Sequence, residues 1–248
     1  MSLRSFTQFC SIVPLISAVA LVFSGPALAF FEKEQAESRA TGCNDPKYKQ
    51  FVEERLDYFE RKNKRMLNRT QRDYERSSQA NSNPYQVIGD LSRHLIYSAQ
   101  FESVQTVNAK IDIMFQHGER LSRDQQIAGN VFDNFSIEAH FVGIARAWAA
   151  YRQGRNQEAF NELLTSIDVS NSAVMESFGP DFTFIRRIYR DGHTKPVVAY
   201  LNKTKDFWTG KRADALRFAW LTMIEQGCAI QFDSLDSIKF AELGLITK

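Results

Sequence analysis

The stretch AWAAYRQGRNQEAF, residues 147–160, decides the fold. Ala147, Trp148 and Tyr151 recur at helical spacing, Gly154 falls where the pattern stops, and Ala159 with Phe160 opens a second apolar stripe. Glycine has no Cβ and adopts the left-handed backbone that ends a helix without steric penalty. A small alanine five residues later lets the second helix lie close to the first. The stretch therefore predicts a tight antiparallel helix pair with an aromatic packed at the end of its first member.

The chain repeats this phrase 56 residues further on, where Phe207 matches Tyr151, Gly210 matches Gly154, Ala215 matches Ala159 and Leu216 matches Phe160. A fainter copy precedes it, with Tyr97, Gln100 and Val104-Gln105 in the corresponding places. The shared pattern, aromatic-x-x-Gly-[Arg/Lys]-x-x-x-Ala-[apolar], resembles the turn and second helix of a tetratricopeptide repeat. Two departures accompany the likeness. The period is about 55 rather than about 34 residues, which calls for an additional helix per unit, supplied by 175–190. The proline that closes the repeat is missing after Leu164 and after Ile224. The resemblance implies an all-α fold of helical hairpins stacked in a tetratricopeptide-like array; a right-handed helical bundle remains the other arrangement these residues allow.

Outward from the repeat, every segment reads as helix. Asp45 can cap a helix whose first turn takes Pro46, and no Gly or Pro intervenes as far as Gln79. Tyr48, Phe51, Val52, Leu56, Phe59, Met66, Leu67 and Tyr74 form its stripe, and residues 61–76 hold seven Lys or Arg. The polar cluster 77–84 breaks it, and a further helix starts near Pro84. Gly118 is expected to end the helix carrying Val107, Ile111 and Met114. Ser122 with Gln125 then resembles a capping box for a long helix running to Gly154. Sustained strand-like alternation is missing; only short pieces near Val169 and Ile230 are ambiguous.

The N-terminal 29 residues read as a signal peptide: Arg4, an apolar run from Ile12 to Phe23, the breakers Gly25 and Pro26, then Ala27-Leu28-Ala29. Pro14 and Pro26 interrupt the run, and spanning a bilayer takes about 20 apolar residues, so no permanent membrane span is expected. The organisation is then a leader over 30–45, a long helix over 46–83 and a repeat domain over 84–248. Periplasmic or secreted placement follows as an expectation. Without Arg4 the chain carries 30 basic against 29 acidic side chains, which argues against a nucleic-acid partner. Export leaves two cysteines, Cys43 and Cys228, expected to pair and close a loop of some 186 residues.

A search for chemistry finds no P-loop, no Gly-x-Ser-x-Gly elbow and no His spacing suited to metal. His94, His117, His140 and His193 are scattered; His140, beside Glu138 and Phe141, has the most functional surroundings. Glu138, Asp181 and Glu176 could form an acid pair only through the fold. Neither a cofactor nor a metal is expected. A basic and aromatic stretch runs from Arg186, Arg187 and Arg190 to Lys211 and Arg212, readable as a surface for an anionic partner or as a solvated face. The expected function is that of an exported, non-enzymatic scaffold or adaptor binding another envelope protein or peptide, an acidic one included. Its groove-facing residues would be Arg146, Arg152, Tyr200, Lys203 and Trp208. An inhibitor or immunity protein against an envelope-degrading enzyme and a cell-wall hydrolase are the alternatives.

Overall fold

The computed structural model describes residues 42–79, 83–128, 136–168 and 172–244, with the side chains of 122–128 and 136 set aside. All of them belong to one compact unit, 38–248. The expected signal peptide and most of the leader lie outside the described residues. Among those described there are ten α-helices and no strand.

Helix α1, Pro46–Ser77, starts as its sequence dictates. The Asp45 carboxylate accepts from the backbone N–H groups of Lys47, at 2.7 Å, and Tyr48, at 3.2 Å. It buries Tyr48, Val52 and Phe59, while Arg61, Lys62, Lys64, Arg65, Arg69, Arg72 and Arg76 all stay exposed, so the basic half is a solvated face. Its inner face packs along α2, Pro84–Phe101, which Asn83 caps by accepting from Tyr85 N–H at 3.0 Å. Helix α3 is Val104–Ala128 and α4 is Ser136–Arg152.

Here the structure corrects two expectations. Gly118 does not end a helix and Ser122 does not start one; α3 runs through both. A helix-interior glycine costs only about 1 kcal/mol relative to alanine, a penalty that Ile111, Met114 and Leu121 offset by burial. The helical hydrogen-bond ladder thus continues where the punctuation suggested a stop.

Helix α5, Asn156–Thr165, folds back on α4. Gly154 has φ +76°, its N–H reaches Tyr151 O at 2.9 Å, and Arg155 N–H reaches Ala150 O at 3.0 Å. These two bonds are a Schellman closure, satisfying carbonyls that a helix end would otherwise leave open. The helix expected over 175–190 is two helices, α6 (Ala173–Phe178) and α7 (Thr183–Arg190). Between them Gly179 takes φ +81° and Pro180 lacks a donor, so the ladder cannot continue. Helices α8 (Thr194–Lys203), α9 (Lys211–Glu225) and α10 (Asp236–Glu242) complete the chain.

The core is continuous. Leu91, Leu95 and Ala99 of α2, Ile144 and Ala147 of α4, and Phe184, Ile185 and Ile188 of α7 are fully buried. An aromatic group joins the later helices: Phe182 lies 5.0 Å from Trp220 and 5.9 Å from Trp208, centroid to centroid. Cys43 and Cys228 form a disulfide across 185 positions. The same seam is fastened by Tyr48, which donates to Ala229 O at 2.5 Å, and by Arg55, paired with Asp233 at 2.8 Å. A buried polar cluster holds α1 to α2 and α3: His94 bonds Thr70 through Nδ1 at 3.1 Å and Lys110 through Nε2 at 2.6 Å. Burial, then the Lys110 charge, lowers the His94 pKa to about 4.

Candidate functional site

Helix α4 crosses the end of α5 closely because position 143 is glycine. A Cβ there would stand 2.4 Å from Ser166 Cβ. Beside this crossing lies a cleft of about 600 Å³ shared by α2, α3, α4 and α5. Ile88, Met114, Ala139 and Val142 give it apolar walls, and Phe115 at its edge is 48% exposed. A large aromatic left to water beside an apolar cleft marks a surface that gains by being covered. The Arg146 guanidinium stands 5.1 Å from the Phe115 centroid, a cation–π contact that occupies the ring face.

The polar groups of the cleft are mostly carboxylates: Glu119, Glu138, Glu162 and Asp168. Asp168 is neutralised by an ion pair with Lys203. Glu138 is different: its Oε2 is buried and has no hydrogen-bond partner among the described residues. Burial raises the carboxyl pKa, and the Arg93 charge opposes that rise. Arg93 itself is paired with Asp90. A buried carboxylate oxygen without a partner costs free energy that a cationic or N–H-bearing ligand would recover.

Ser166 and His140 look at first like a nucleophile and its base, since Nδ1 lies 3.2 Å from Ser166 Oγ. The hydrogen-bond directions contradict that role. Asp181 N–H donates to His140 Nε2 at 3.0 Å, so Nε2 holds the lone pair and Nδ1 carries the proton. Nδ1–H therefore points its donor at Ser166, whose own hydroxyl donates to Leu163 O at 2.7 Å. The histidine has no lone pair to offer the serine. Burial lowers its pKa to about 4, against the Asp181 charge and the Ser166 carbonyl, and it serves to join α4 to the segments after α5 and α6. Of the three carboxylates considered for an acid pair, the cleft takes only Glu138; Asp181 lines a separate cavity and Glu176 is exposed on α6.

The expected groove residues separate into three environments. Arg146 lines the cleft, and Lys203 meets it indirectly by bonding Asp168 and, at 3.0 Å, Leu164 O. Arg152 donates to Ala99 O at 3.0 Å and to Glu102 O, closing the open end of α2. Tyr200 is fully buried and donates to Asp181 O at 3.2 Å. Trp208 is 6% exposed, lies against Gly179, and has Arg217 5.6 Å from its ring. The aromatics of the last two positions are thus core groups, facing inward between flanking lysines.

Sequence reasoning missed Phe115, Glu162 and Val142 as cleft residues, because they come from three helices distant in sequence. The visible clue was Gly143, a glycine inside an otherwise alanine-rich helix, which marks close approach. Among the described residues no three or more His, Cys, Asp or Glu side chains could hold a metal ion, and no helix is long and apolar enough to cross a membrane. Compared with protein-family models, with curated proteins and with solved structures, the chain matches none.

Proposed function

We propose that this chain is an exported, non-enzymatic binding protein of the cell envelope, and that its cleft between α2 and α5 takes an apolar peptide segment bearing one basic side chain. The observation that carries this reading is the unpartnered Glu138 carboxylate oxygen beside apolar walls and an exposed Phe115. The acidic partner suggested by the many Lys and Arg residues fits this cleft poorly, because its buried unpartnered oxygen belongs to the Glu138 carboxylate. The Schellman turn at Gly154 and the fully buried Ala159 support a tetratricopeptide-like reading of the α4–α5 hairpin. The apolar run before Gly25 and the paired Cys43 and Cys228 support export.

The test uses the oxidised protein from residue 30 onward and two amphipathic peptides that differ by one Lys in place of Glu. Calorimetric titration should show saturable binding of the lysine peptide alone. Phe115→Ser and Glu138→Gln should each weaken it by about tenfold or more, with the melting temperature little changed. Equal binding of both peptides, or of neither, would overturn the proposal.

A further inference from the structure

A second cavity, remote from the cleft in its lining residues and opposite in charge, lies where α1, α2, α4 and α7 meet; its volume is about 260 Å³. Leu56, Phe59, Phe101 and Trp148 supply apolar and aromatic wall, and Arg186, Arg187 and Arg190 supply three cations against the single carboxylate of Glu60 among the described lining residues.

Two of the three guanidiniums are partly committed. Arg186 gives Nε and Nη2 to the carbonyls of Gln231 and Phe232 and lies 4.0 Å from the Phe59 centroid, leaving Nη1. Arg187 gives Nε to Asp191 at 2.7 Å. Among the described residues Arg190 makes no hydrogen bond or ion pair, and its charge acts on the neighbouring Asp191 carboxylate. The decisive group is Trp148. It is 7% exposed, forms part of the wall, and its indole N–H is buried without a partner among the described residues. Buried indole N–H groups are ordinarily satisfied, and the ring that bears this one lines a cavity rich in cations.

We propose that this cavity binds a small organic acid with an apolar body, its carboxylate accepting from Trp148 Nε1–H and from the Arg190 guanidinium. A planar carboxylate presents two oxygens, which suits a single interior donor together with a guanidinium fork at the rim. The Phe59, Phe101 and Leu56 side chains then cover the apolar body. The site is independent of the peptide cleft, and neither proposal depends on the other.

Three tryptophans give three indole N–H resonances in the nitrogen-15 spectrum of the oxidised protein, and Trp148→Phe identifies the one concerned. Titration with benzoate should move that resonance saturably, benzamide should leave it unmoved, and Arg190→Gln should weaken the response at least tenfold. Inorganic phosphate acting at lower concentration than benzoate would overturn the assignment to a carboxylate. A resonance indifferent to benzoate, or equally responsive to benzamide, would overturn the site. Should Trp148→Phe fail to fold, Arg190→Gln still decides, because it alters an exposed residue: three indole responses to benzoate all unchanged in that variant would also overturn the site.

Discussion

The α4–α5 turn and the α8–α9 turn are written with the same phrase and built differently. At the first, Gly154 closes the preceding helix in the left-handed conformation and Ala159 is fully buried. At the second, α8 has already ended at Lys203 in a turn of 3-10 helix, Thr204–Asp206. Gly210, at φ +104° and ψ 162°, is the cap from which α9 begins. Ala215, the counterpart of Ala159, is exposed, and Ala213 is buried in its stead. The cause is Phe207-Trp208. Both are 6% exposed, with Trp208 drawn inward to Gly179 and Arg217, whereas their counterparts Tyr151 and Arg152 at the first turn are half-buried and exposed. A local phrase says that a helix ends nearby; the long-range demand of two large aromatics decides which residue ends it and which face turns in.

The strongest test of that explanation removes the space under Trp208. A Cβ on Gly179 would lie 2.8 Å from the indole, and the backbone there already has φ +81°. Strain and overlap together should make Gly179→Ala cost about 4 kcal/mol in urea unfolding, the largest effect expected.

Acid should separate the two regions next. His140 belongs to the first, with a pKa of about 4 against an ordinary 6.5. Between those values the unfolded chain binds more protons, so stability is full above about pH 6.5 and is lost as pH falls toward 4, by at most about 3 kcal/mol. Asp236, which holds Trp220 in the second region at 2.8 Å, has a pKa raised to about 6 and contributes the opposite slope, losing stability as pH rises through 6. Hydrogen exchange at pH 4.5 and 7.5 should show protection near Ser166 rising with pH relative to protection around Trp220; parallel changes would count against this division.

Smaller again is the alanine pair. Ala159→Leu should cost about 2 kcal/mol by overpacking, while Ala215→Leu should stay within about 0.5 kcal/mol; equal costs would mean the turns are equivalent after all. The smallest contrast is between the glycines, both with open space around a new Cβ. Gly154→Ala should cost about 1 kcal/mol and Gly210→Ala about 2, the latter because its backbone region excludes nearly every other residue.

What could be read in advance follows from range of interaction. Asp45-Pro46 and Asn83-Pro84 declare helix starts because capping involves neighbours only, and Cys43 and Cys228 are the two cysteines beyond the apolar N-terminal run. Gly118 misled because a helix tolerates one glycine when its other residues are buried. Tyr200, Lys203 and Trp208 looked like one surface because an interior helix has apolar contact on more than one side, so periodicity cannot distinguish a groove from a core. The cleft was illegible for a simpler reason: Ile88, Phe115, Val142 and Glu162 share a space only once four helices have packed.

The Cys43–Cys228 bond has a mechanical consequence. Traction on the residues that flank the pair would pass through the sulfur bridge rather than through the helices between, which would be shielded from extension. The same clasp keeps the fragments of a chain nicked between the two cysteines together as one covalent particle.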